Sequence, residues 1–254
     1  MCYRPKETKN NKSKQFFIDL IPELKSYTTQ LAIGGGESLL DQSFVQQLGK
    51  TITDNDMIMN VTTNGTIGIE EETAKYIEMI SVSLDKYKRP TKRNFMHFAR
   101  YVYGLKEIYD LRVGVNLLLE DFLLFPPKNL VDLVDQLFNS LGVERVFALS
   151  PKNWPMAHIL EQKEALIALS TIYEHFYVDE LTEKIITENN YWQWKTPCHY
   201  GTKMLSIDEQ GNVKGCSFAD NILLHLEEPE DIHKIKDIDI EERYACPYLQ
   251  QEEK

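Results

Sequence analysis

From residue 14 to residue 175 the apolar positions switch back and forth between two periods. Lys14 to Tyr27 places Phe16, Phe17, Leu20, Ile21 and Leu24 on one stripe at helical spacing. Leu31-Ala32-Ile33 follows and halts at Gly34-Gly35-Gly36, the pattern of a buried strand ended by a glycine turn. Ile58 to Val61 predicts a second strand, closed by polar Thr62-Thr63-Asn64-Gly65. Glu70 to Glu78 predicts a helix whose opening acids suit the positive end of the helix dipole. A strand over Met79 to Leu84 and a long helix over Lys92 to Tyr109 come next. In that helix Phe95, Phe98, Tyr101 and Leu105 recur at core spacing. A strand over Leu111 to Leu119, a helix over Leu130 to Leu141, a strand over Arg145 to Leu149 and a helix over Ala157 to His175 complete the series. Alternation every 20 to 35 residues, roughly, is the rhythm of repeated βα units, so a parallel sheet is expected, as a barrel or an open sheet. No sequence repeat accompanies the period.

Past Phe176 the texture changes. Lys203 to Ile207 and Val213 to Cys216 alternate in the manner of strands and flank Asp208-Glu209-Gln210-Gly211-Asn212, a hairpin with glycine in its turn. The last stretch is acidic with interleaved isoleucines, which predicts a small unit with a marginal core. The expected division is a core over 1–178 and an extension over 179–254.

Composition narrows the function classes. The 254 residues carry 43% hydrophobic and 26% charged side chains, ordinary for a globular chain that buries a core without disulfides. A net charge of −11 repels a polyphosphate backbone and disfavours general nucleic-acid binding. The basic run Lys86 to Arg93 reads as a solvated loop and helix start. No stretch approaches the roughly 20 apolar residues of a membrane helix, and no secretory leader is evident, so the cytoplasm is expected. Four cysteines in a reducing compartment read as metal ligands, nucleophiles or buried thiols.

In a parallel βα scaffold, chemistry collects at the carboxyl ends of the strands. Four such ends carry glycine or polar punctuation: Gly34 to Glu37, Thr62 to Gly65, Ser81 to Asp85, and Asn116. Any one alone reads as a turn. Their recurrence on consecutive strands points to a ligand, with glycines allowing close approach and Glu37 offering an acceptor for an ammonium group.

That order of segments resembles the radical S-adenosylmethionine superfamily. The resemblance implies a partial (β/α)6 TIM barrel lacking its first strand, with a small C-terminal hairpin-containing domain. Gly35-Gly36-Glu37 matches the GGE motif that binds the amino group of the cofactor, although Ser38 stands where the family often has proline. Asn64, Ser83, Asp85 and Asn116 match the polar strand ends that contact the rest of S-adenosylmethionine. Met1-Cys2-Tyr3 matches the end of CxxxCxxCY, whose three thiolates hold a 4Fe-4S cluster with one open iron. This chain therefore offers Cys2 alone as a ligand there. A start assigned within the motif and a degenerate relative both account for that. As given, the chain is expected to be inactive. The family's chemistry is reductive cleavage of S-adenosylmethionine to a 5′-deoxyadenosyl radical that abstracts hydrogen from substrate. It implies an electron donor such as a flavodoxin or ferredoxin, and here a peptide or protein substrate.

A second set comprises Cys198, Cys216 and Cys246. Cys198, twelve residues, Gly211, four residues and Cys216 are similar to the opening of SPASM and twitch extensions, which hold an auxiliary iron–sulfur cluster. A hairpin brings its flanks together, so convergence of Cys198 and Cys216 is expected on geometry as well. His199 is a candidate fourth ligand. A zinc site and unligated thiols remain alternatives. His97, His158, His175, His225 and His233 lack ligand spacing, and Trp192 and Trp194 read as structural. No GxSxG, HExxH or Walker pattern is present. Two further readings stand beside the enzyme: a non-catalytic barrel that binds a peptide, and a βα enzyme that holds a phosphorylated ligand at the glycine turn.

Overall fold

A computed structural model describes residues 11–84, 92–119, 127–150, 156–188, 194–217, 221–244 and 246. Cys2 and Asp85, both singled out by sequence, lie outside them, as does most of the basic run. Helix α1 (Lys14–Leu24) begins at Ser13, whose hydroxyl accepts the Phe16 N–H at 3.1 Å. Strand β1 (Gln30–Ile33) runs through the glycine turn into a short 3-10 helix (Ser38–Asp41) and α2 (Gln42–Asp54). The chain continues through β2 (Ile58–Thr63), α3 (Glu71–Ala74), β3 (Ile77–Leu84), α4 (Lys92–Tyr109) and β4 (Arg112–Leu118). Then follow α5 (Pro127–Asp135), which ends in a π turn over Gln136–Ser140, and β5 (Arg145–Leu149). Helices α6 (Met156–Glu161) and α7 (Lys163–Ile172) precede β6 (Phe176–Val178) and α8 (Glu180–Glu188).

The six strands pair in parallel and in sequence order, β1-β2-β3-β4-β5-β6, and curl into a half-barrel. This is the expected partial TIM barrel. Right-handed crossovers between parallel neighbours place every connecting helix on one face. Burial follows directly. Met59, Val61, Ile80, Val82, Leu84, Val113, Val115, Leu117, Val146 and Ala148 face the helices and are at most 1% exposed. Their alternate neighbours, including Asn60, Thr62, Ser81, Ser83, Asn116, Arg145 and Phe147, are only half-buried. One face of the sheet is thus a sealed core and the other an open, polar, concave floor.

The structure adds to the expected series in several places. The helix expected over 70–78 is only four residues long, because β3 starts at Ile77 and its pairing with β2 slips at Met59/Asn60. The helix expected over 157–175 is two helices joined at Gln162, followed by the three-residue strand β6.

In the C-terminal region β7 (Ser206–Ile207), β8 (Asn212–Lys214) and β9 (Leu224–His225) form an antiparallel sheet. Gly211 occupies the turn at φ 81°, a conformation that favours glycine. A 3-10 helix over Pro229–Asp237 closes the unit. Its core is borrowed: Val213, Leu226, Ile232 and Ile235 pack with Phe16 and Leu20 of α1. Phe17, one residue along, touches both this cluster and the main core. Helix α8 contributes Leu181, Ile185 and Ile186 to the main core as well.

Candidate functional site

The parallel register carries the carboxyl ends of β1 to β4 to one edge of the sheet. At that edge Gly35 and Gly36 take φ of 86° and 40°, which turns the chain sharply away from β1. The turn faces open space: a methyl group built on Gly36 meets nothing within 4 Å, and one on Gly34 only grazes Thr62 at 4.0 Å. Among the described residues, packing does not demand glycine at 34 or 36, and the backbone there is left bare for an approaching group.

Glu37 follows and ties β1 to β2. Its Oε1 accepts the Thr63 hydroxyl at 2.8 Å and the Leu39 N–H at 3.1 Å. Oε2 accepts the Asn64 N–H at 2.7 Å. A carboxylate has about four acceptor sites. Three are engaged internally, and the last belongs to Oε2 at the mouth. The side chain is therefore fixed in place and still able to receive one donor. Asn64 folds back on its own loop, its Oδ1 accepting the N–H and the hydroxyl of Thr66 at 2.8 and 2.5 Å.

Sequence reading took Tyr101 as core packing, and the structure gives it a second part. Its hydroxyl donates to the Ile67 carbonyl at 2.9 Å. Burial pushes its pKa up to about 12, the neighbouring Thr63 hydroxyl counteracts, and the Glu37 charge adds to the rise. Tyr101 thus stays a protonated donor and pins the loop that presents Asn64. Gly65 is required there, at φ 72°, because a side chain would press Val82 at 3.2 Å and the Tyr101 ring at 3.3 Å.

Ser83 and Asn116 are direct cross-strand partners on the open face, one row below the edge. The same row continues to Phe147 and Tyr177, whose rings stack at 5.3 Å. The row beneath runs Thr62, Ser81, Gly114 and Arg145. Asn60, lower still, has a buried Oδ1 without a hydrogen-bond partner among the described residues. The structure therefore brings Gly35, Gly36, Glu37, Asn64, Ser83 and Asn116 to one edge and its adjoining floor. Arg145, Phe147 and Tyr177 were missed by sequence reading. Strand parity alone would have placed Arg145 on the side opposite Val146 and Ala148.

The C-terminal cysteines occupy a different neighbourhood. The Cys198 N–H donates to the Arg243 carbonyl at 2.7 Å and the Trp194 N–H to that of Tyr244 at 2.6 Å, drawing the segment of Cys246 alongside. Cys198 and Cys246 pack against the same core. The Cys198 thiol donates to Glu180 at 3.5 Å, and the His199 N–H donates to the same carboxylate at 3.0 Å. Burial, then the Glu180 charge, pushes that thiol up to about 12. Cys216 follows Gly215, which lies against the Tyr200 ring, and the buried Tyr200 hydroxyl lacks a hydrogen-bond partner among the described residues. A surface pocket of about 560 Å³ opens beside Cys198, walled by Glu180, Glu183, Glu188, Glu242, Lys184 and His199.

These observations decide which groups the residues fit. The glycine turn and the fixed Glu37, with one acceptor site left, fit the amino-acid portion of S-adenosylmethionine. Cys2, matched to the cluster loop, lies outside the described residues. Three His, Cys, Asp or Glu side chains do not converge as a metal cage among the described residues. Among the described residues, no helix is long and apolar enough to cross a membrane.

No family model and no curated protein matches the sequence. Among solved structures, the fold is similar to SuiB of Streptococcus suis bound to S-adenosylmethionine, with a TM-score of 0.66 and 13% identity. That likeness covers 96% of this chain and 61% of the other, so the chain spans under two thirds of its length. At this identity the likeness is one of fold. A truncated 3-deoxy-D-arabino-heptulosonate 7-phosphate synthase from Thermotoga maritima aligns with 66% of this chain and 70% of its own. Its TM-score is 0.36 at 11% identity, below what carries an argument.

Proposed function

We propose that the half-barrel binds S-adenosylmethionine at the carboxyl ends of β1 to β4, and that its reaction class is radical S-adenosylmethionine chemistry on a peptide or protein. The observation that carries this reading is the pairing of an open glycine turn with Glu37, a carboxylate locked by three internal donors and left with one acceptor site. The likeness of fold to a protein bound to S-adenosylmethionine supports it.

Each residue has a stated task. Glu37 receives the amino group of the cofactor, and the Gly34 to Gly36 backbone lies against it without side-chain interference. Asn64, Ser83 and Asn116 offer amide and hydroxyl groups to the ribose and carboxylate, and Asp85 is assigned the same work. Thr63 and Tyr101 act through Glu37 and the Asn64 loop and are positioning residues. S-adenosylmethionine bound beside a 4Fe-4S cluster, to which Cys2 would give one thiolate, would supply a 5′-deoxyadenosyl radical on one-electron reduction. Cys198, Cys216 and Cys246 are proposed as ligands of an auxiliary iron–sulfur cluster, which requires rearrangement of the Cys198–Glu180 hydrogen bond. A ferredoxin or flavodoxin is the proposed electron donor, and the cytoplasm the proposed location.

Calorimetry with S-adenosylmethionine tests the central part. The chain should bind it, and Glu37→Gln should weaken binding by about tenfold or more, the loss of a charge-assisted hydrogen bond. Equal affinity in the variant removes the role of Glu37, and no binding by the parent chain removes the reading. The Cys198 thiol, which donates to Glu180, favours a second reading as a non-catalytic half-barrel that binds a peptide. A form carrying the complete CxxxCxxC motif, reconstituted anaerobically, separates the two by whether it releases 5′-deoxyadenosine.

A further inference from the structure

The open floor of the half-barrel carries a charge that its own chain leaves unanswered. Arg145 opens β5 and shares the concave side with Phe147, because residues two apart on a strand face the same way. It is half-buried, and among the described residues its guanidinium makes no hydrogen bond or ion pair. Carboxylates are at hand in this part of the sheet: Arg112 holds Glu78 at 2.6 Å and Glu144 at 2.7 Å. Arg145 takes neither. A guanidinium without an internal partner is open to an anion from outside.

Its surroundings describe what that something is. One row above, about 6.6 Å along the strand and within the span of an extended arginine, Phe147 stacks on Tyr177. Tyr177 is 39% exposed and gives the floor a flat apolar wall at the β6 edge. Across the same row lie Asn116 and Ser83, assigned above to the cofactor, so a group held by Arg145 lies next to it. Among the described residues of this floor, Arg145 is the charged group without a partner, in a chain of net charge −11. A local cation on such a molecule is selective, since the remaining surface repels the anion it attracts.

We propose that the concave floor binds an extended peptide with an acidic side chain, its carboxylate on Arg145 and an adjoining apolar residue against Phe147 and Tyr177. This deepens the reading of the site given above by naming the substrate chemistry, and it rests on that reading for the position of the cofactor. Arg145 is a specificity-determining residue, separate from the groups that hold S-adenosylmethionine.

The probes are two blocked dipeptides, acetyl-Glu-Phe-amide and acetyl-Gln-Phe-amide, titrated into the full chain with saturating S-adenosylmethionine and followed by NMR. The glutamate probe should bind at least about tenfold more tightly than the glutamine probe, as expected for a charge-assisted pair. It should also shift the Arg145 side-chain resonance. Arg145→Gln should erase the preference, Arg145→Lys should keep part of it, and both variants should retain the parent affinity for S-adenosylmethionine. Equal affinity for the two probes overturns the proposal. So does displacement of the glutamate probe by acetate at equal concentration, which marks an adventitious anion only. Loss of S-adenosylmethionine binding in Arg145→Gln assigns the arginine to the cofactor carboxylate and also overturns it. If the parent chain fails to bind S-adenosylmethionine while the probe preference persists, the cofactor reading fails and the peptide site stands.

Discussion

At the scale of single residues, the mouth of the half-barrel is held by a relay rather than by Glu37 alone. Thr63 donates to Glu37 and accepts from the Gly65 N–H at 3.0 Å, while Tyr101 fixes Ile67 and borders Thr63. Removing the Tyr101 hydroxyl leaves a carbonyl without its donor, so Tyr101→Phe should cost about 1 to 2 kcal/mol of stability in urea titration. It should also weaken S-adenosylmethionine binding several-fold, although Tyr101 touches no proposed cofactor atom. Unchanged affinity at reduced stability would make the residue purely structural. The helical spacing of Phe95, Phe98, Tyr101 and Leu105 revealed that Tyr101 faces inward. It could not reveal that the hydroxyl meets a loop 34 residues earlier, because that contact depends on how α4 crosses β2 and β3.

At the scale of elements, most of the βα series was legible because each buried strand reads as an apolar run stopped by polar punctuation. What escaped was short. Strand β6 has three residues, too few for a period, and it borders the aromatic pair that completes the floor. The hairpin was visible through Gly211, whereas β9 has only two residues, and the closing 3-10 helix lay in an acidic stretch whose interleaved isoleucines showed no clear period. That helix has a legible electrostatic lock. Asp231 accepts the Glu227 and Glu228 N–H groups at 2.9 and 3.0 Å and pairs with Lys234 at 2.5 Å. The lysine, followed by the backbone donor of Glu228, lowers its pKa from 3.8 to about 2. A depressed folded-state value means the cap stabilises the helix above pH 3.8 and loses that effect as pH falls towards 2. NMR titration should therefore find the Asp231 carboxyl near 2, with amide exchange at Glu228 rising only below about pH 4. A carboxyl that titrates at the ordinary value would remove the lock.

For the whole molecule, the main lesson is how one helix joins two cores. Phe16 and Leu20 complete the hydrophobic cluster of the hairpin unit, and Phe17 touches that cluster and the barrel core together. The apolar stripe of α1 was plain in the sequence, but its partner was not, since the two segments are some 200 residues apart. The same limit governed the floor. Alternation along β5 puts Arg145 and Phe147 on one side, but only the register with β4 and β6 sets them beside Asn116 and Tyr177. The cysteines show the same limit: their spacing singles out Cys198 and Cys246, which pack against one core, but gives no sign of Glu180, the carboxylate that the Cys198 thiol meets. The claim on which the rest depends is that S-adenosylmethionine sits at the carboxyl edge of β1 to β4. Amide chemical-shift mapping with S-adenosylmethionine tests it most directly: the largest shifts should fall on Gly35, Gly36, Asn64, Ser83 and Asn116, whereas shifts confined to α8 and the hairpin unit, or none at all, would contradict it.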